Sequence, residues 1–264
     1  MPISIITRAY KTSELRNLIT NINLNNEVHK EIIAVCNVSD FNLEGTNLII
    51  ENSNRFKAKI TGIKNARYEN VLFLDSDQIP ENGLLSELDK KKENMVIIPE
   101  KSINNNFTSK CLDDWRYRIE KLARKQPTSY IPVIPRFYKR EVLIGAVNRL
   151  PVGILGIITH EDSILYHEAF KETKSIGFSK KIIYNYDPNF SEMMKKAFIY
   201  GKNKGEMESM EIPQEIKNLI LRLNRNTLNV KELGFGKGYL IQIPRGLSYL
   251  LGELLSEKAT KSKK

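Results

Sequence analysis

The run VLFL at residues 71–74 limits the fold of this 264-residue chain more than any other segment, because Asp75 and Asp77 follow it almost at once. A strand that is apolar at every position is typical of a central strand in a parallel sheet covered on both faces. Carboxylates are costly in such a core, so we expect the strand to end before them. Ligands of α/β proteins bind at the carboxyl ends of strands. The sequence therefore predicts a ligand site at residues 75–77.

Segments typical of strands alternate with segments typical of helices along most of the chain, which predicts an α/β fold. Apolar residues recur at helical spacing in TSELRNLITNI (12–22) and SKCLDDWRYRIEKLARK (109–125), and residues 55–67 also favour a helix. The other predicted strands are ISII (3–6), EIIAVC (31–36), NLIIENS (47–53), MVIIP (95–99), KKIIYNYDP (180–188) and the start of IPRFYKREVLIGA (134–146), which leads into a helix.

Composition favours a globular protein of a reducing compartment. Hydrophobic residues make up 41% of the chain and charged residues 27%, which is ordinary for a soluble protein. Cys36 and Cys111 lie far apart and form no Cys/His cluster, which argues against a disulfide framework or structural zinc. The N-terminus lacks the layout of a signal peptide, and no run reaches the ~18–20 apolar residues of a transmembrane helix. We expect a cytoplasmic location.

The C-terminal part of the chain is strongly basic. The formal net charge is +10, and residues 195–264 hold 14 Lys or Arg against 7 Asp or Glu. Such an excess favours an anionic partner, although a solvated basic face explains it equally well. The chain has no nucleic-acid-binding motif, and its aromatic residues are not interleaved with basic ones. We therefore expect no nucleic acid partner. If the basic segment binds an anionic partner, we expect a membrane surface.

Leucines in GLSYLLGELL (246–255) recur at helical spacing near basic residues. A helix of this kind either lies in a membrane interface, here at the cytoplasmic face, or packs back on the main domain. Both interpretations stay open at this stage. We predict a main α/β domain at 1–200, a helical, amphipathic extension at 201–256 and a disordered basic tail at 257–264.

Two acidic motifs are candidates for chemistry. The DSD motif at 75–77 offers the carboxylate oxygens that Mg²⁺ and Mn²⁺ prefer when they are shared with a diphosphate. Its alternative is a turn of helix-capping residues before Pro80. In THEDS (159–163), Glu161 and Asp162 either stabilise a helix start by their charge or supply a general base beside a substrate.

The order of these segments resembles that of the family 2 glycosyltransferases of the GT-A fold. The resemblance covers roughly residues 3–200. It implies a Rossmann-like mixed sheet with helices on both faces, and an enzyme that uses a nucleotide-sugar donor and a divalent cation, Mn²⁺ or Mg²⁺. The segments that carry it are ISIITRAYKTSEL, EIIAVCNVSD, AKITGIKNARYENVLFLDSDQIPENGLL and HEDSILYHEAF.

The resemblance also implies roles for individual residues. Asp77 and Asp75 would ligate the metal, with Asp75 also facing the ribose or sugar, while Asp162 would be the catalytic base and Glu161 would contact the acceptor. This chain departs from the family at Cys36, where an acid is usual, and at Lys59, where an arginine is usual. The implied contacts of the nucleotide sugar are Arg8, Ala9, Tyr10, Cys36, Asn37, Ser39, Lys59, Asp75 and Ser76.

These roles predict an inverting, metal-dependent transfer of a sugar to a hydroxyl group of a glycan or lipid-linked acceptor. A single base without a second, nucleophilic carboxylate predicts inversion. A hydroxyl must lose a proton whereas a lipid phosphate need not, so Glu161 and Asp162 favour a hydroxyl acceptor. The alternatives are a polyprenyl-phosphate glycosyl synthase, a sugar nucleotidyltransferase and a non-catalytic binding module. A nucleotidyltransferase should carry a Gly-rich loop after the first strand, and TRAYKTSE has no glycine.

Overall fold

The computed structural model describes residues 1–9, 12–24, 28–36, 45–151, 153–157, 159–208, 212–227, 233 and 236–261. These residues form an α/β fold in which helices cover both faces of a seven-stranded mixed sheet. This architecture confirms the predicted fold class.

The elements follow one another mainly as strand and helix through the first two thirds of the chain, and as helices after that. The strands are β1 (Ile3–Ala9), β2 (Lys30–Cys36), β3 (Thr46–Ile50), β4 (Asn70–Phe73), β5 (Gln78–Pro80), β6 (Met95–Ile97), β7 (Glu100–Ser102), β8 (Phe137–Lys139), β9 (Ile176–Phe178) and β10 (Ile183–Asn185). The helices are α1 (Thr12–Asn23), α2 (Arg55–Asn65), α3 (Leu84–Asp89), α4 (Phe107–Lys125), α5 (Arg140–Arg149), α6 (Glu161–Glu172), α7 (Phe190–Glu208), α8 (Gln214–Thr227) and α9 (Tyr239–Lys261), with a 3-10 turn at Ile154–Gly156.

The large sheet has the strand order β3-β2-β1-β4-β8-β6-β9. Strands β1 to β4 run parallel to one another, whereas β8 runs antiparallel to both β4 and β6. A second sheet of order β5-β10-β7 lies beyond the end of β4. The carboxyl ends of β1 and β4 therefore meet between the two sheets, where parallel sheets place their ligands.

The apolar run 71–74 divides its side chains between the two faces of the sheet, since successive residues of a strand point in opposite directions. Val71 and Phe73 pack into a core with apolar residues of α2, α5, α6 and α8. Leu72 and Leu74 pack into the opposite core, which α1 and α3 cover. The chain turns out of the core immediately afterwards, as the sequence predicts.

Three short strands and one short helix escape the sequence patterns. Strands β5, β7 and β9 are three residues long and α3 is six, too short to show a strand or helix period. A helix does start at Glu161 and Asp162, and His160 directly before α6 adopts a left-handed conformation with φ of 61°. Histidine is one of the residues that tolerate this region best.

Both predicted domain boundaries lie within helices. Residue 200 lies in α7, and α8 buries Ile216, Leu219 and Leu223 in the same core as the sheet. Residue 257, where the disordered tail is predicted to begin, lies in α9, which continues to Lys261. Residues 257–261, EKATK, are mostly good helix formers and extend the preceding turns. Of the helices in the described ranges, none combines the length and the apolar character that crossing a membrane requires.

Helices α7 and α9 pack with their backbones unusually close together. A Cβ atom built on Gly201 would meet the Tyr249 carbonyl oxygen at 1.8 Å, and one built on Gly252 would meet the Phe198 carbonyl oxygen at 2.1 Å. Only glycine fits at such contacts, because a backbone carbonyl cannot swing aside as a side chain can. The two glycines therefore fix α9 against α7.

We expect Gly252→Ala to lower the free energy of unfolding by about 1–3 kcal/mol, the usual cost of overpacking, measured by urea titration. Alanine normally stabilises a helix by up to ~1 kcal/mol over glycine, so the sign of the effect is diagnostic. Gly145→Ala in α5 is the matched control, because its Cβ would meet the half-exposed Glu172 carboxylate at 3.2 Å. Equal stability of the Gly252→Ala and wild-type proteins would contradict the close packing.

Candidate active site

A polar cleft of about 640 Å³ opens at the carboxyl ends of β1 and β4. The small sheet forms one side of it, and α2, α6, α7 and α9 contribute residues to its walls. Among the described residues that line it, seven are Lys or Arg and seven are Asp or Glu. A cleft with this balance can accept an anionic ligand together with a cation.

The structure brings most of the predicted site residues together in this cleft. Ala9 and Cys36 are the exceptions among those described, since they are buried at the ends of β1 and β2 and do not line the cleft. Tyr10, Asn37 and Ser39 lie outside the described residues. The predicted residues that line the cleft are Arg8, Lys59, Asp75, Ser76, Asp77, Glu161 and Asp162.

A closed ring of hydrogen bonds holds the turn that carries the DSD motif. Arg136 donates to Asp75 Oδ2 at 3.3 Å and to Glu100 Oε1 at 2.9 Å. Asn185 donates to Glu100 Oε2 at 3.0 Å and accepts from Gln78 Nε2 at 2.8 Å. The Asp75 backbone N–H closes the ring by donating to Gln78 Oε1 at 2.9 Å. The ring joins the large sheet to all three strands of the small sheet, because Gln78 lies in β5, Glu100 in β7 and Asn185 in β10.

The two acids of the motif differ in their electrostatic surroundings. Desolvation by the cleft would raise the pKa of Asp75, but Arg136, Lys59 and Arg55 outweigh it and hold that pKa below its usual value. Desolvation and the negative charge of Asp75 raise the pKa of Asp77. Within the described part of the chain, no Lys or Arg forms an ion pair with Asp77. Asp75 is thus neutralised by the protein, whereas Asp77 calls for a further cation.

The residues present fit a divalent cation shared with a ligand, but not a metal held by the protein alone. No group of three or more His, Cys, Asp or Glu side chains suited to a metal occurs among the described residues. Mg²⁺ commonly binds through one or two carboxylates and completes its shell with phosphate oxygens and water. Asp77, with Asp75 two residues before it, supplies such a set at the exposed surface of the cleft.

Lys59 and Asp162 form an ion pair between α2 and the start of α6. The Lys59 ammonium also lies 5.0 Å from the centre of the Phe73 ring, a distance typical of a cation–π contact. Desolvation lowers the pKa of Lys59 to about 8, although the carboxylates of Glu161 and Asp75 favour its charged form. Glu161 itself is buried, with Arg55 at 4.0 Å.

Sequence reasoning misses several charged residues of the cleft. Arg116 of α4 forms an ion pair with Asp187 at 2.5 Å, and both line the cleft. The helix pair α7–α9 adds Lys196, Tyr200 and Arg245. For the residues of α7 and α9, the sequence signal is the basic composition of the C-terminal part, which does not indicate which side chains point into the cleft.

Comparison with known proteins finds similar folds. No protein-family model and no curated protein sequence matches the chain. TarS of S. aureus has a TM-score of 0.53 at 17% identity, over 87% of this chain and 44% of TarS. The TarS 1–349 fragment in complex with UDP-GlcNAc scores 0.54 at 15% identity, over 100% of this chain and 93% of the fragment. The mannosyltransferase PcManGT from Pyrobaculum calidifontis, in complex with GDP-Man and Mn²⁺, scores 0.59 at 14% identity, over 97% of this chain and 86% of that chain.

At these identities the likeness concerns the fold, and it agrees with the GT-A architecture that the sequence predicts. This chain spans less than half of full-length TarS but nearly all of its 1–349 fragment. The similarity therefore extends through the C-terminal helices of this chain as well as through its sheet.

The lowered pKa of Lys59 predicts a pH dependence of anion binding. Lys59 loses its positive charge as the pH rises through about 8, so the affinity of the cleft for inorganic pyrophosphate should fall between pH 7 and pH 9. Arg136 and Arg55 stay charged over this range because arginine titrates only above pH 12.

Isothermal titration calorimetry of the wild type and Lys59→Arg at matched pH values measures the effect. The arginine variant should show a flatter profile, and comparison of the two proteins cancels the titration of pyrophosphate itself. Identical profiles would show that Lys59 is not the titrating group.

Proposed function

We propose that the protein is a metal-dependent, inverting glycosyltransferase that moves a sugar from a nucleotide-sugar donor to a hydroxyl group of a glycan or lipid-linked acceptor. The observation that carries the proposal is the placement of the DSD turn and the Lys59–Asp162 pair in one cleft. The similar folds solved in complex with UDP-GlcNAc and with GDP-Man support it, as does the resemblance to family 2.

The donor side of the reaction belongs to the turn after β4. Asp77, with Asp75, would hold Mg²⁺ or Mn²⁺, an ion that neutralises the diphosphate as a leaving group when it is bound. The hydrogen-bonded ring keeps Asp75 ionised and orients its carboxylate toward the cleft. Lys59 adds a positive charge close to Asp75, on the side where the sugar would lie.

The acceptor side belongs to the start of α6. Lys59 is bound to Asp162 Oδ1, which orients the carboxylate and leaves Oδ2 to accept the proton of an acceptor hydroxyl. Proton removal makes that oxygen the nucleophile, which forms the new bond to the anomeric carbon as the bond to the diphosphate breaks. Glu161, buried beside it, would position the acceptor.

The way two further carboxylates of the cleft are held supports an inverting reaction. A retaining reaction of the double-displacement kind needs a second carboxylate that is able to attack the anomeric carbon. Glu100 is bound by Arg136 and Asn185, and Asp187 is bound by Arg116. Each therefore has its oxygens engaged by the protein, so direct attack by the acceptor is favoured.

The proposal is tested by thermal shift with UDP, GDP and TDP sugars, with and without Mn²⁺. One nucleotide should stabilise the protein, and more strongly when the metal is present, because binding to the native state alone raises its stability. The absence of any stabilisation would count heavily against a glycosyltransferase.

Two variants separate the roles of the carboxylates once the donor is known. Asp162→Asn should lower kcat by at least about 100-fold, as loss of a general base does, with donor affinity unchanged. Asp77→Asn should remove the metal-dependent part of donor binding. Glu141→Gln, on the exposed side of α5, is the charge-matched control. Full activity in either cleft variant would overturn the assigned roles.

We further propose that α9 binds the cytoplasmic face of an anionic membrane. The helix exposes seven aliphatic side chains, each between 52% and 58% accessible, within an arc of about 140° at 100° per residue. An apolar stripe of this extent marks a partner surface rather than ordinary solvent exposure. The exposed side chains are Leu240, Ile243, Leu247, Leu250, Leu251, Leu254 and Leu255.

Charge favours a lipid surface over a second copy of the chain as the occupant of this stripe. Lys195 and Lys202 are exposed on the adjoining helix α7, and the segment as a whole carries an excess of basic residues. Two copies would bring these like charges together, whereas anionic lipid attracts them by ~1 kcal/mol for each residue near the surface. A lipid-linked acceptor would then reach the cleft from the membrane plane.

Co-sedimentation with vesicles tests this placement. The wild type should bind phosphatidylglycerol vesicles, less so at high salt and less to phosphatidylcholine vesicles, because the attraction is partly electrostatic. Leu250→Glu combined with Leu254→Glu should abolish binding, whereas Leu221→Glu, at a 55% exposed leucine of α8, should not. A dimer that dissociates in the double variant, without vesicle binding by the wild type, would assign the stripe to a second copy instead.

A further inference from the structure

Arg245 of α9 is a cation of the cleft for which the described residues provide no carboxylate partner. Three other basic residues of the cleft do have one: Lys59 pairs with Asp162, Arg116 with Asp187, and Arg136 with Asp75 and Glu100. The charged group with which Arg245 interacts is another cation, Arg116, and the Tyr200 ring lies close by.

The surroundings of Arg245 disfavour its charge. Desolvation in the cleft lowers the pKa of Arg245, and Arg116 lowers it further, with only partial compensation from the Tyr200 side chain. A desolvated charge without a counter-ion destabilises the protein. A bound anion would act as the counter-ion of Arg245 and would explain why a charged residue occupies this position.

The helix pair holds Arg245 in position for this role. Gly252 and Tyr249 lie on the face of α9 that contacts α7, and Arg245 falls on the same side at 100° per residue, opposite the leucine stripe. The side chain is therefore directed inward by a contact that leaves the helices little freedom to slide.

We propose that Arg245 binds a phosphate oxygen of the nucleoside diphosphate, so that the C-terminal helix pair completes the donor site. This assignment rests on the proposed function. Lys196, Tyr200 and Arg245 line the same cleft as Asp77, and Tyr200 follows Lys196 by four residues, a spacing of about 6 Å on one helix face. The long Arg245 side chain beside Tyr200 thus lies near the position that Asp77 assigns to the diphosphate.

Isothermal titration calorimetry of wild type, Arg245→Gln and Arg245→Lys tests the assignment in the presence of Mg²⁺. The probes are UDP, GDP and TDP, the corresponding nucleosides, inorganic pyrophosphate and farnesyl phosphate. Arg245→Gln should weaken diphosphate and pyrophosphate binding on the order of 10- to 100-fold, as expected for a lost charged hydrogen bond. It should leave nucleoside binding unchanged, and Arg245→Lys should recover part of the loss.

Two controls separate a binding role from a structural one. Lys64→Gln removes a charge from the exposed end of α2, outside the lining of the cleft, and should bind every probe as the wild type does. Arg245→Gln should unfold at the wild-type temperature or above it, because it removes a charge that desolvation disfavours. A destabilised Arg245→Gln protein with weak binding of all probes, nucleosides included, would show a structural role and overturn the proposal.

The remaining outcomes also decide the question. Wild-type diphosphate affinity in Arg245→Gln overturns the proposal, and a loss confined to farnesyl phosphate, a lipid phosphate probe, would assign Arg245 to a phosphorylated acceptor instead. Pyrophosphate binding that depends on Arg245 in a protein that binds no nucleoside diphosphate would support the anion site and contradict the proposed donor. A wild type that binds none of the anions overturns both.

Discussion

The geometry of the cleft depends on the contact between Arg136 and two carboxylates that belong to different sheets. The Arg136 backbone pairs with Phe73 at the end of β4 and with Val96 of β6, so its guanidinium is fixed by the large sheet. Through Asp75 it sets the DSD turn, and through Glu100 it sets the small sheet. An arginine and two carboxylates in a desolvated site are stable only together. This contact therefore fixes the DSD turn and the small sheet relative to the large sheet.

This contact also explains why the two acids of the DSD motif differ in their electrostatic surroundings. Arg136, together with Lys59 and Arg55, keeps Asp75 ionised by lowering its pKa. Asp77 lies beyond the reach of that arginine and has its pKa raised. A bound divalent ion would lower the pKa of Asp77, because it would supply a positive charge beside this carboxylate. In the proposed reaction, both acids would hold the metal, and Asp77 would depend on it more because the protein supplies less positive charge there.

The sequence predicts the elements and the motifs but not the contacts between them. VLFL predicts the end of a strand and HED predicts the start of a helix, because each pattern is local. In the structure, β4 ends and α6 starts at these positions. Arg136, Glu100 and Asn185 belong to segments far apart in the chain, and each alone is an ordinary polar residue near a short strand. The leucines of 246–255 have the same spacing whether they pack inward or face outward, so only the structure shows that they are exposed.

Helix α9 combines the two surfaces on which the proposed reaction depends. Its inner face carries Arg245 into the cleft, and its outer face presents the leucine stripe, while Gly252 and Gly201 hold both faces in register with α7. Because the helix is rigidly packed, a membrane bound to its outer face would lie at a fixed orientation to the cleft. An acceptor anchored in that membrane would then reach the start of α6 by diffusion within the membrane plane. The basic, leucine-rich end of the chain is then part of the active site rather than an appendage to it.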